Sequence, residues 1–154
     1  AKFLDRLSPA DRVAFVASEA TLPRLMNLRY GCGAPLARMV KEMGFGIDII
    51  YYDLHGAAPK IPKGMENARV TVFRTPWELE KALTDGDFRA VYSDIVFDWR
   101  IMKAGKARFG SKDFEMGLIG AMNTFERLLS LCRLPFYRRY AAYLAGTKGA
   151  AHVE

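Results

Sequence analysis

Apolar runs alternate with helix-like segments along the first two-thirds of the chain. The run at 46–53 is continuously apolar rather than alternating, as in parallel strands that are covered on both faces. Together the runs predict strands at 11–18, 46–53, 68–74 and 88–96, with a short fifth strand at 107–109. This order predicts an α/β, Rossmann-like, doubly wound parallel sheet of four or five strands with right-handed crossovers.

Helix signals fill the gaps between these strands. Thr75 with Pro76 and Glu78 forms the pattern of a capping box at the start of a helix. Pro23 is expected in the first turn of a helix that runs toward Tyr30. A further helix is predicted at 35–44. The segment 97–107 predicts a short helix that ends near Gly105, and 54–67 is expected to be an irregular connection.

The last third of the chain has a single apolar stripe with steps of three and four residues. It predicts one long helix over about 114–132, with these side chains buried: Leu118, Met122, Phe125, Leu129 and Cys132. Five methionines are expected to fill the core: Met26, Met39, Met43, Met116 and Met122. Pro135 ends the helix, and "FYRRYAAYL" predicts a terminal helix. With no internal repeat, residues 1–154 are expected to form a single domain.

Composition excludes several classes of protein. Of 154 residues, 51% are hydrophobic and 26% charged, which excludes a disordered tail and a collagen-like fibre. The two cysteines, without CxxC spacing, are neither a secreted disulfide framework nor a zinc site. No apolar stretch approaches the roughly 20 residues that span a bilayer, so we expect a cytoplasmic protein without a membrane partner.

The formal charge of +6 is concentrated in two clusters. One runs from Arg100 to Lys112 without an acidic residue, and the other from Arg133 to Lys148 among aromatic residues. Both are typical of a solvated face or of a surface for an acidic partner subunit. We do not expect a nucleic-acid partner, because no helix-turn-helix, RNP or zinc-finger pattern accompanies the charge.

Ligands of such sheets bind where the strands end. The loop after the first strand lacks the glycines of a dinucleotide site. His55, beside Asp53, is either a general base or ligand oriented by a carboxylate, or an ordinary loop histidine. Cys32, between two glycines, is either a cluster ligand or redox thiol, or a small buried residue at a helix break.

A stand-alone binding module for a small anionic ligand is one functional hypothesis. Arg74, Thr75 and Lys60 would be its contacts, because a phosphate favours the amide-rich start of the helix at Thr75.

A second hypothesis comes from a resemblance to a known family. "VTVFRTPWELEKALTDGDFRAVYSDI" and "FEMGLIGAMNTFERLL" resemble the C-terminal domain of nitrogenase component 1 type proteins. That superfamily includes nitrogenase molybdenum–iron subunits, their cofactor scaffolds and the dark-operative chlorophyll-pathway reductases. The resemblance covers roughly 12–144 and is most specific at Met116, Gly117, Gly120 and Ala121.

The resemblance implies an oxidoreductase component, related to nitrogen fixation or chlorophyll synthesis. Family subunits have three α/β domains, pair with another subunit and accept electrons from an ATP-dependent iron–sulfur reductase. This chain would be the C-terminal domain, inactive alone, helping to wall a cofactor or substrate pocket. The implied iron–sulfur cluster belongs to the whole complex, since its thiolates lie in earlier domains and this domain alone is expected to bind no cofactor.

At two places this sequence differs from that of catalytic nitrogenase subunits. Met116 stands where catalytic nitrogenase subunits have the histidine that binds the iron–molybdenum cofactor. Residues 17–20, Ala-Ser-Glu-Ala, replace the glycine-rich turn of those subunits. The chain therefore resembles a non-catalytic partner subunit, a chlorophyll-pathway relative or another nitrogenase-like protein more closely. Candidate pocket-facing residues are Cys32, His55, Met116 and Gly117.

Overall fold

Five parallel strands form one sheet in the described part of the chain. The structure is a computed structural model that describes residues 4–26, 35–56, 58–93, 99–135 and 139–140. The strands are β1 (Arg12–Ser18), β2 (Gly46–Tyr52), β3 (Arg69–Phe73), β4 (Ala90–Tyr92) and β5 (Ala107–Phe109). Their spatial order is β3-β2-β1-β4-β5. The predicted Rossmann-like α/β fold is confirmed, including the short fifth strand.

Five α-helices accompany the sheet within the described residues: α1 (Leu22–Met26), α2 (Leu36–Glu42), α3 (Pro76–Asp85), α4 (Trp99–Lys103) and α5 (Gly117–Arg133). Each overlaps a predicted segment: α1 begins one residue before Pro23, α3 runs two residues past the segment "TPWELEKAL", and α5 ends one residue after Cys132. Of the predicted terminal helix only residues 139–140 are described, and both are helical. The rest of that helix lies outside the described residues.

Each face of the sheet has its own apolar core. On one face α1, α2 and α5 cover β-strand residues such as Phe15, whose ring stacks on Tyr92 at 5.3 Å between centroids. On the other face Leu79 and Leu83 of α3 and Ile101 of α4 pack over the sheet. Covering both faces explains why five consecutive residues of β2, 47–51, are buried.

The start of α3 is formed by the predicted capping box. Thr75 Oγ1 accepts a hydrogen bond from the Glu78 main-chain nitrogen at 3.2 Å, and Glu78 Oε2 accepts one from the Thr75 nitrogen at 3.2 Å. These bonds satisfy amides that the helix itself leaves without partners.

The predicted stripe on α5 is right for its second half and wrong for its first. Phe125, Leu129 and Cys132 are buried, whereas Leu118 is 81% and Met122 44% exposed. Met116, also expected in the core, is 81% exposed. The buried face of α5 runs through Gly120, Thr124 and Leu128 at steps of four residues, and Leu118 and Met122 lie to one side of it.

No helix in the described ranges has both the length and the apolar character needed to cross a membrane.

Candidate functional site

A crevice of about 380 Å³ opens at the carboxyl edge of the sheet, the edge at which the parallel strands end. The strand order reverses between β1 and β4, and ligands of open α/β sheets bind at such reversals. The ends of β1, β2, β3 and β4, the turn after β1 and the beginnings of α3 and α4 supply its lining: Val16, Ala17, Ser18, Thr21, Tyr52, Phe73, Arg74, Thr75, Pro76, Leu79, Ser93 and Arg100.

An ion pair between Arg74 and Asp53 borders this crevice. Arg74 Nε donates a hydrogen bond to Asp53 Oδ2 at 2.9 Å, and Nη2 lies 2.8 Å from the same oxygen. The Asp53 side chain is 4% exposed, and its Oδ1 accepts from the main-chain nitrogens of His55 at 3.1 Å and Gly56 at 2.7 Å. Although burial opposes ionisation, these donors hold the pKa of the Asp53 carboxyl below its ordinary value.

His55 lies at a second, adjoining cleft of about 360 Å³, which also includes Ser18, Tyr52 and Asp53. Its side chain is exposed, and its main-chain nitrogen is the group that donates to Asp53. Asp53 therefore fixes the turn that carries His55. Nearby, burial and the carboxylates of Glu19 and Asp53 raise the pKa of the Tyr51 hydroxyl.

The start of α3 is already occupied by a carboxylate. Glu78 Oε2 accepts from the Arg74 main-chain nitrogen at 2.6 Å as well as from that of Thr75. These amide bonds lower the pKa of the Glu78 carboxyl. Arg74 and Thr75 line the crevice as the anionic-ligand hypothesis expected, whereas Lys60 is exposed and is not part of that lining. A phosphate at these amides would meet Glu78 instead of a free helix start.

The glycines of the "MG-x-x-GA" motif have specific conformational roles. Gly117, the first residue of α5, has φ of +81°, a region that residues with a side chain rarely adopt. A Cβ on Gly120 would lie 2.6 Å from the carbonyl carbon of Glu115. The motif thus folds the 114–116 segment tightly against the beginning of α5, with Met116 as its exposed N-cap residue.

Large apolar side chains are exposed along the carboxyl edge. Trp77 at the start of α3 is 76% exposed, and Trp99 at the start of α4 is 53% exposed. The start of α5 adds Met116, Leu118, Ile119 and Met122, and the end of β2 adds Tyr52 and Leu54. We call these eight residues the apolar edge. Across the described residues eleven large hydrophobic side chains are exposed, and the other three are Val72, Leu134 and Tyr140.

The described residues do not fit a metal or iron–sulfur site. In this part of the chain no group of three or more His, Cys, Asp or Glu side chains could hold a metal ion. Cys132 is buried in the core, where burial and the nearby Asp11 carboxylate raise the pKa of its thiol to about 12. Cys32 lies outside the described residues.

The basic cluster from Arg100 to Lys112 mostly contacts the chain itself. Arg100 and Lys103 lie 4.0 and 3.8 Å from the Glu80 carboxylate. Lys106 donates to the Gly86 carbonyl, and Arg108 to that of Ser93 at 2.7 Å. The cluster is therefore less available to an acidic partner than the sequence suggested.

Two features of the site could not be predicted from the sequence. Arg74 and Asp53 were each at a strand end, but only the pairing of β2 with β3 brings them together. The exposed indoles of Trp77 and Trp99 follow from their places at helix starts, where an amphipathic pattern gives little information.

No protein-family model matches the chain, and no curated protein is similar to it at a significant level.

Proposed function

We propose that this chain is the C-terminal domain of a nitrogenase-like component 1 reductase subunit. In this role its carboxyl edge helps to wall a cofactor or substrate pocket, and it packs against other parts of a cytoplasmic, ATP-dependent iron–sulfur electron-transfer complex. Its partners would be the other subunit of that complex and the iron–sulfur reductase that delivers electrons.

The apolar edge is the observation that carries this proposal. Met116 and Leu118, each 81% exposed, and Ile119, 74% exposed, adjoin one another at the start of α5. Contiguous apolar surface of this kind marks a site of interaction. Burying each such side chain contributes about 1.5–3 kcal/mol, which favours a state in which another protein surface covers this edge.

The motif glycines give the sequence resemblance a structural basis. Gly117 has a backbone conformation that suits glycine, and Gly120 lies against the backbone of Glu115. A chain that keeps both glycines therefore keeps the loop that presents Met116 at the edge. This supports a common local structure with the family, whose subunits place the same motif beside their pocket.

The domain's contribution would be structural and positional. The described residues hold no suitable cluster ligands, so the thiolates that bind iron would come from other domains of the complex. Electron transfer and bond chemistry would occur beyond this domain, at the pocket that its edge helps to close.

The test uses the complete protein. The longest open reading frame that contains this sequence is expressed in its source cells with an affinity tag and purified without oxygen. We expect cysteine-bearing domains before this one, a second subunit in fixed stoichiometry, and bound iron with acid-labile sulfide. A parent chain without such domains, purified as an iron-free monomer, would overturn the proposal.

A further inference from the structure

The crevice at the strand-order reversal combines apolar walls with a fixed cation. Val16, Ala17 and Phe73 supply apolar atoms from the strand ends, and Leu79 supplies them from α3. Small-molecule sites typically have this form, with a few polar groups that fix the ligand's orientation. The candidate for that orienting group is Arg74.

The contact with Asp53 determines which edge of the Arg74 guanidinium remains outside the pair. Asp53 engages Nε and Nη2, the side edge of the group. The other edge, formed by Nη1 and the second N–H of Nη2, lies outside that bond, and the Arg74 side chain is 63% exposed. The buried, amide-bonded Asp53 carboxylate thus positions a planar donor pair beside the crevice.

Geometry and charge together favour a carboxylate as the ligand of that edge. Two parallel N–H groups of arginine match the two oxygens of a carboxylate. A phosphate, with greater charge, would meet the Glu78 carboxylate that holds the main-chain nitrogens of Arg74 and Thr75. With one arginine and a carboxylate nearby, a ligand with one negative charge is favoured over a ligand with two.

An aromatic pair beside Arg74 indicates the rest of the ligand. The rings of Tyr52 and Phe73 stack at 5.2 Å between centroids, and both line the crevice. Tyr52 is 36% exposed, so it offers a ring surface to a bound molecule. A flat apolar body against this surface would gain stacking and burial.

We propose that the crevice binds an aromatic carboxylate, with its carboxylate on the outer edge of Arg74 and its ring against Tyr52. This site does not depend on membership of a reductase complex. A failure of ligand binding therefore leaves the proposed function standing, and a failure of the complex to form leaves this site standing.

The probe is 2-naphthoate, titrated into the full chain by calorimetry and by ligand-observed NMR. We expect saturable binding that weakens at least tenfold for 2-naphthalenemethanol, which lacks the charge. Arg74→Gln should weaken 2-naphthoate binding at least tenfold, and Arg74→Lys should weaken it less. Arg69→Gln is the matched control, because Arg69 lies at the other end of β3 and pairs with the exposed Asp87.

Arg74→Gln removes the guanidinium that contacts Asp53 Oδ2, so it is also made together with Asp53→Asn. Thermal unfolding identifies which variants are folded. Loss of binding in the folded double variant, with binding kept in Arg69→Gln, supports the site. No saturable binding to the native chain, equal binding to the folded double variant, or tighter binding of 2-naphthyl phosphate overturns it.

Discussion

Arg74 and Asp53, which follow the neighbouring strands β3 and β2, form a two-point contact at the carboxyl edge of the sheet. Nε and Nη2 of Arg74 lie 2.9 and 2.8 Å from Asp53 Oδ2. Asp53 also holds the turn at His55 and Gly56 through their main-chain nitrogens. One buried carboxylate therefore fixes both a loop and a cation of the candidate site.

Asp53→Asn is expected to lower the free energy of unfolding at pH 7, because the amide loses the charge that pairs with Arg74. The folded pKa of this carboxyl lies below its unfolded value of about 3.9. Its stabilisation is therefore complete above that value and is lost as pH falls through the folded pKa. Urea unfolding should give a difference in the free energy of unfolding between the native chain and the variant. This difference should be constant from about pH 7 to 5 and become smaller below about pH 4.

The control for that series is Asp87→Asn, which removes an exposed partner of Arg69. Its effect should stay under about 1 kcal/mol. If Asp53→Asn does not lower the free energy of unfolding at pH 7, or lowers it more as the pH falls, the role assigned to the carboxylate is contradicted.

Gly117 gives a prediction about backbone conformation. Because φ is +81° and nothing lies near a Cβ at this position, Gly117→Ala should cost about 1–2 kcal/mol through strain alone. Gly117→Asn should cost less, since asparagine tolerates the left-handed region better. Chemical denaturation measures both, and equal stability of the alanine variant and the native chain would be incompatible with this helix start.

The exposed and buried parts of α5 should respond differently to substitution. Leu118→Ser, at an 81% exposed position, should change the free energy of unfolding by no more than about 0.5 kcal/mol. Leu128→Ala, at a fully buried position on the same helix, should cost about 2–5 kcal/mol. Comparable losses for both would mean that Leu118 belongs to the core.

Cys132 should be unreactive in the folded protein. Burial raises the pKa of its thiol to about 12, so at pH 8 the thiol is almost entirely protonated and the reactive thiolate is scarce. In a Cys32→Ser variant, where Cys132 is the only thiol, iodoacetamide should label the chain in denaturant and leave it almost unlabelled without it. Rapid labelling of the folded variant would show that the thiol is accessible.

Local patterns were sufficient to predict the elements of this fold. The capping box at Thr75 and the apolar run at 46–53 each depend on neighbours in sequence, so the position of α3 and of β2 followed directly. Leu118 and Met122 were misplaced because periodicity shows which face of a helix is apolar, but not how far the partner surface extends.

The candidate site was predictable in location and less so in its contacts. Strand ends were expected to carry it, and His55, Asp53 and Arg74 are there. The Arg74–Asp53 pair depends on the register of two strands, and the apolar edge depends on what the rest of the chain leaves uncovered. Neither property can be derived from spacing along the sequence.

The central claim is that another protein surface covers the apolar edge within a larger reductase. Its most direct test is affinity purification of the complete protein with Leu118→Asp and Ile119→Asp together, beside Arg69→Gln and the native sequence. The claim predicts that native and Arg69→Gln proteins retain the second subunit, while the doubly charged edge loses it although the domain stays folded. Retention of the second subunit by the charged variant, or its absence from the native protein, would contradict the claim.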